Sequence, residues 1–464
     1  MSESLGRVRS VDWMRRLAWL DSGLIFPALL IAGVLIRLAV VFSMDVNPWS
    51  DAGWYYGRAI EMANGLGFQE GGVPTAFWPV GYPAFLAGLF ALFGPSIKIA
   101  QLANVVFWAA SLWLIHRITL RLCASLAAAN LAVLLYSIYL NALGYSGLLM
   151  TETLFVFMLL LAWWLTCRLD AGSIWRAVPL GVVLGLTTLV KVQTWLILPV
   201  WAVLVVLFAG GSRRAALARI ALSTVVLFAT VLPWSLRNLE TFGTFVLVST
   251  NGGVAFALGN HDNSNGTHAE DSNPHLKDIA WSVKDQIAAD RRAKDITWRW
   301  IGEHPDRFLK LAPKKYWWSL VPDGESEWGY QAGFAAYEQY WLVFRTLRWA
   351  NQFIYFGLLA ATVGCLGLML LRLRTQVRPV VVPWSFVGAY AVTFVVLTFV
   401  FNGQSRYHFP LVAVGCVLCG WTLAQVVARR ARDSASTDEG AGGTGADAKA
   451  EPLPRPGVQP LATS

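Results

Sequence analysis

The sequence predicts an all-α polytopic membrane protein, a bundle of about ten transmembrane helices with interfacial helices in the first outer loop. Four observations predict it. The 464 residues are 56% hydrophobic with mean hydropathy +0.50. Only 14% are charged, where a soluble chain carries roughly a quarter. Apolar runs close to the roughly 20 residues of a membrane span recur along the chain. The arginines between those runs follow one side of a membrane.

The runs fall near 24–42, 99–120, 126–142, 149–167, 178–190, 195–208, 220–236, 353–371, 382–401 and 410–427, the fifth and sixth being short. Arg7, Arg9, Arg15 and Arg16 precede the first, and Arg117 and Arg121 follow the second. Arg168 and Arg176 separate the fourth from the fifth, and Arg213, Arg214 and Arg219 follow the sixth. Arg372, Arg374 and Arg378 follow the eighth, and Arg429, Arg430 and Arg432 the tenth. With ten spans every group lies on one face, which the positive-inside rule makes cytoplasmic, with both termini. The net charge of +9 is therefore a topology signal rather than a nucleic-acid footprint. The first run lacks a small-residue cleavage site and reads as an anchor. The expected membrane domain covers 1–432, followed by a disordered cytoplasmic tail over 433–464, rich in Ala, Gly, Ser and Pro.

Two outer loops are long, about 43–98 and 237–347. In the first, Ser50 opens a helix-like stretch as a plausible N-cap. Asp51, Tyr55 and Arg58 then share one face at i, i+4 and i+7. Residues 83–93 are apolar but too short to span, and read as a helix lying in the interface. The second loop has a polar stretch over 251–273 and helical patterns around 281–304 and 334–349. The cysteines lie in or beside spans, so no disulfide framework is implied; Cys416 and Cys419 read as packing residues.

Four charged residues stand where the predicted spans meet the outer face. Asp51 is either a general base for an acceptor hydroxyl, a step worth roughly 10²–10⁴ in rate, or a carboxylate that complements a helix dipole. Glu152, in the first turn of the fourth span, is a second base, a metal ligand with Asp51, or another dipole partner. Lys191, between the fifth and sixth spans, either snorkels or binds phosphate as a compact charge. Arg406, opening the last span, either anchors at the interface or binds a lipid phosphate through its planar fork. His408 beside it reads as structural. His261, Asp262 and His268 have metal-ligand chemistry in irregular spacing, and read as plain solvated loop.

Several segments, taken in order, carry a resemblance. Ser50-Asp51 with Tyr55 and Ala59 leads to Asn64-Gly65-Leu66-Gly67-Phe68, then to Trp78-Pro79-Val80-Gly81-Tyr82-Pro83. Thr151-Glu152-Thr153-Leu154-Phe155 and Pro233-Trp234-Ser235-Leu236-Arg237-Asn238 follow. Ser249-Thr250-Asn251-Gly252-Gly253, Gly259-Asn260 and Arg406-Tyr407-His408-Phe409-Pro410 complete the set. Over about 24–427 the chain resembles the GT-C class of membrane glycosyltransferases, in the family-39 branch of protein O-mannosyltransferases and the lipid A aminoarabinose transferase. The resemblance implies inverting transfer of a sugar, hexosyl or pentosyl, from a polyprenyl-phosphate-linked donor at the outer face. The acceptor hydroxyl would belong to a glycan, a lipid or a protein. Asp51 and Glu152 take catalytic positions in it; Lys191, Arg406 and Tyr407 would bind the donor phosphate, and Tyr55, Arg58 and Tyr82 the substrate. A divalent metal, if present, would sit on Asp51 and Glu152. Ala52 replaces the acidic partner that protein O-mannosyltransferases carry, and His408 the last arginine of a common Arg-Tyr-Arg motif. The rival class is a transporter or lipid flippase. Those place ionisable residues at the midplane in repeated halves, whereas these charges lie at one edge without a repeat.

Overall fold

The structure is a computed structural model that describes residues 18–169, 173–208, 213–268, 273–279, 281–373 and 381–441. Helices dominate it. The one sheet among these residues is a short antiparallel pair, β1 (Gln69–Glu70) with β2 (Val73–Pro74). The first membrane helix, α1 (Ile25–Ser43), is followed by α2 (Ser50–Ala63) and α3 (Gly81–Phe93), the two helices expected in the first loop. Ser50 is not their N-cap, however. It sits inside the first turn with φ 49°, while Trp49 holds the cap position without a side-chain bond. A positive φ on serine is a strained choice, and it falls beside Asp51.

The bundle continues through α4 (Ile97–Cys123), whose N-terminus is capped by Ser96 accepting from the Ile99 amide at 3.4 Å. Next come α5 (Leu126–Ser137) and α6 (Leu140–Gly144). These two were expected to form one span over 126–142. They are instead bent by 66° at a break. The break is tolerated because distant side chains satisfy the backbone it frees. Asn351 Oδ1 accepts from the Asn141 amide at 2.8 Å, and the Asn141 side chain donates to Asp323 at 2.7 Å.

After α7 (Thr151–Thr166) come α8 (Ala177–Val190), α9 (Ile197–Phe208) and α10 (Arg213–Phe242). Helices α8 and α10 pack through Gly181 and Gly185, four residues apart. A Cβ on either would lie 2.6 Å from Val226 or Thr230, so only glycine permits this approach. The second loop carries α11 (Gly252–Gly259), α12 (Gln286–Glu303), α13 (Pro305–Leu320) and α14 (Ser326–Gly333). It ends earlier than expected, because α15 (Trp341–Leu373) is one continuous helix that absorbs the pattern around 341–349. Helices α16 (Val381–Val400) and α17 (Phe409–Ala441) close the chain. Helix α17 runs past 433, and the rest of the expected tail lies outside the described residues, as do Arg7, Arg9, Arg15, Arg16, Arg374 and Arg378.

Six described helices are long and apolar enough to cross a membrane, or seven if the bent pair is one span. The protein is thus a multi-pass membrane protein. The expected ten is not reached on that measure, because Thr151–Thr166, Ile174–Val190 and Val192–Phe208 are apolar but short.

Candidate active site

One end of the bundle, where both long loops meet it, gathers most of the charged residues singled out above. Asp51 stands in the first turn of α2. Arg406 lies 355 residues away in the turn before α17, and its Nη1 donates to Asp51 Oδ2 at 2.9 Å. The guanidinium side chain is 23% exposed and the carboxylate 19%, so the pair is largely out of solvent. Burial alone would lower the Arg406 pKa. Asp51 and then Glu325 outweigh it and push the guanidinium well above its ordinary value.

The second ion pair joins α7 to the turn after α8. Lys191 Nζ donates to Glu152 Oε1 at 3.1 Å, with the carboxylate only 2% exposed. Lys191 also lies 5.4 Å over the Phe155 ring. Its position follows from a glycine. Gly81 presses on the Leu189–Val190 backbone so closely that a Cβ would lie 2.6 Å from the Leu189 carbonyl. This contact docks the Trp78–Pro83 motif on the end of α8, next to the position from which Lys191 leaves the helix.

Tyr55 and Tyr82 meet edge to face, centroids 5.3 Å apart, and Tyr55 also touches Trp78 at 5.2 Å. Burial raises the Tyr55 pKa well above normal, and the Asp51 and Glu152 charges raise it further. Both carboxylates therefore act on this one ring. The Tyr82 hydroxyl is buried and has no hydrogen-bond partner. Tyr407 donates to Asn402 at 3.1 Å; burial raises its pKa, with Arg406 opposing.

Arg58 does not join this group. It pairs with Glu61 at 2.6 Å, reaches Glu70 at 3.7 Å and lies over Trp54. The helical spacing that grouped it with Asp51 holds, but two nearer carboxylates turn the long side chain toward the β1 loop.

A cleft open to solvent runs along this site. Its walls are mostly apolar, among them Trp49, Leu148, Met150 and Trp328, and Arg406 and Glu325 supply its charges. Glu325 is a site residue that the sequence reading missed. It accepts from Ser405 Oγ at 2.5 Å and from the Arg406 amide at 3.0 Å. Its only signal was the Asp323-Gly324-Glu325 turn, unremarkable inside a polar loop. Two residues before it, buried Asp323 lies 3.3 Å from His408 Nε2, whose ring stacks on Tyr355 and whose Nδ1 is 2.8 Å from the Ser319 carbonyl. His408 thus ties the Arg406 turn to the Glu325 turn, as its structural reading requires.

Among the described residues no group of three or more His, Cys, Asp or Glu is placed to hold a metal ion. Asp51 and Glu152 are each matched to a cation, so this donor set does not fit a divalent ion without breaking an ion pair. His261 is buried, which corrects its reading as solvated loop. Asp262 instead accepts from Trp300 at 3.0 Å and from Arg307 at 2.8 Å.

The fold, with its broken span, loop helices and charged end, is similar to that of a solved membrane oligosaccharyltransferase. The apo oligosaccharyltransferase of Archaeoglobus fulgidus superposes with a TM-score of 0.50 at 12% identity, over 91% of this chain and 52% of its own. The chain thus spans about half the length of that protein. ArnT from Cupriavidus metallidurans, solved with undecaprenyl phosphate, gives a TM-score of 0.41 at 13% identity, over 87% of this chain and 79% of its own. No protein-family model and no curated protein matches the chain.

Proposed function

We propose that this protein is a glycosyltransferase that moves a sugar from a polyprenyl-phosphate donor to an acceptor hydroxyl, with inversion. The observation that carries the proposal is the Asp51–Arg406 pair, a carboxylate beside a guanidinium at the edge of an apolar cleft. Sugar transfer from a lipid phosphate needs these parts together. A base takes the acceptor proton, a cation receives the charge that develops on the leaving phosphate, and an apolar groove accommodates the prenyl chain.

In this reaction the acceptor oxygen attacks the anomeric carbon from the face opposite the phosphate. Asp51 takes the hydroxyl proton as the new carbon–oxygen bond forms. The bond from the anomeric carbon to the phosphate oxygen breaks, and its electron pair leaves with the polyprenyl phosphate. Arg406 and Lys191 bind that phosphate, Tyr407 flanks it, and Glu152 fixes the Lys191 ammonium. Tyr55 and Tyr82 border the sugar. Arg58, turned toward Glu61, is withdrawn from the substrate set. On this reading the site faces outward from the cytoplasmic membrane with both termini inside, which the positive charge between the ten spans expected from the sequence supports. The acceptor is a glycan, lipid or protein hydroxyl, and the sugar moved is a hexosyl or pentosyl group.

The test uses purified protein in vesicles with polyprenyl-phosphate sugars and an envelope extract as acceptor. Wild type should transfer label to the extract. Asp51→Asn should lose roughly 10²–10⁴ of the rate. Transfer by Asp51→Asn at the wild-type rate removes Asp51 from the chemistry.

A further inference from the structure

The proposed roles of Asp51 and Arg406 conflict in the structure as it stands. A carboxylate oxygen that accepts from a guanidinium at 2.9 Å is poorly free to take a hydroxyl proton, and a guanidinium so engaged is poorly free for a phosphate. Glu325 resolves the conflict. It holds the Ser405–Arg406 segment by its backbone amide and hydroxyl, independently of where the guanidinium points. Its second oxygen lies 4.0 Å from Arg406 Nε, which Gln404 Oε1 accepts at 2.7 Å. Glu325 and Arg406 both line the cleft, as do Trp49 and Ala52, whereas Asp51 between those two in sequence does not.

We infer that the Asp51–Arg406 ion pair is a resting contact which the donor phosphate displaces, with Glu325 as the positioning residue that retains Arg406 during the exchange. Phosphate entering the cleft takes Arg406 Nη1 from Asp51. No covalent bond changes in this step; one charged acceptor replaces another. The base is thereby released only when a donor is in place, so acceptor activation depends on donor binding. Glu325, fixed to the backbone of the same turn, keeps the guanidinium at the cleft once its Asp51 contact is gone.

The inference rests on the proposed role of Arg406 at the donor phosphate, and the experiment separates the two. The probe is a sugar-free polyprenyl monophosphate, whose affinity is measured by quenching of intrinsic tryptophan fluorescence with the full chain in nanodiscs. If Asp51 holds Arg406 away from ligand, apparent affinity is reduced by the fraction so held. Asp51→Asn should then bind the lipid about fivefold tighter, and Glu325→Gln about fivefold weaker. Loss of a nearby negative charge would also tighten binding by simple repulsion, so Asp51→Asn is repeated on Arg406→Gln. The exchange requires the tightening to vanish there. Tightening that persists without Arg406, or no tightening with it, overturns the exchange while leaving the donor assignment intact. No binding of the lipid by a folded wild-type protein overturns both. Failure of sugar transfer alone bears on the proposed function and not on this exchange.

Discussion

Lys191 and Glu152 join two helices at 3.1 Å, and their exposure is unequal: 17% for the lysine side chain against 2% for the carboxylate. That asymmetry decides which partner the fold misses more. A sealed carboxylate stripped of its cation has no route to water, whereas a lysine can extend its stem toward the interface. Lys191→Met should therefore lower thermal stability more than Glu152→Gln, with a loss of about 3–5 kcal/mol for breaking a buried pair from the lysine side. Unfolding curves of the two purified variants check the order. Equal losses would mean that Glu152 already reaches solvent.

Gly81 and Gly88 lie on one helix and differ in surroundings. A Cβ on Gly81 would meet Leu189 backbone at 2.6 Å, while one on Gly88 meets nothing within 4 Å. Gly81→Ala should destabilise by about 1–3 kcal/mol through overpacking and reduce transfer by shifting Lys191. Gly88→Ala should be neutral or stabilising by up to about 1 kcal/mol. Thermal unfolding and transfer measured on both variants make each the control for the other.

Tyr82 buries a hydroxyl that bonds to nothing in the protein. Removing an unpaired buried hydroxyl forfeits no internal hydrogen bond, so Tyr82→Phe should unfold at or above the wild-type temperature. If that hydroxyl serves the substrate, transfer should fall about tenfold, the value of one hydrogen bond. Lower stability with unchanged transfer would place Tyr82 in the scaffold instead.

Lys315, fully buried, donates to Asn260 at 2.6 Å and to the Phe399 carbonyl at 2.8 Å, tying α13 to the end of α16. Burial lowers its pKa to about 7 from 10.5. The unfolded chain therefore binds more protons than the folded one between those values, and stability should rise with pH across that window. Lys315→Met should flatten the slope of stability against pH between about 7 and 10. An unchanged slope would assign it to other groups.

The sequence revealed the parts of this site that stand out against lipid. Asp51, Glu152, Lys191 and Arg406 are charges at the ends of apolar runs, so their cost in a membrane made them visible. That Asp51 and Arg406 touch was not legible, because 355 residues separate them and pattern reading does not fold a chain. Glu325 was hidden by its polar loop, where one more acid carries no signal. The break at Ser137–Leu140 was hidden for a different reason. Hydropathy registers side chains, whereas the break depends on Asn351 and Asp323 arriving from elsewhere to bond the Asn141 backbone and side chain. Arg58 shows the converse: helical spacing placed its Cα correctly, and local carboxylates decided where its guanidinium went.

The central claim is that Asp51 serves sugar transfer, and mass spectrometry of envelope glycans tests it most directly. A deletion strain carries either the wild-type gene or Asp51→Asn, with protein levels matched. The account predicts one sugar mass lost on deletion, restored by wild type and not by Asp51→Asn, on a molecule that identifies the acceptor. Restoration by both genes, or an envelope unchanged by deletion, would contradict it.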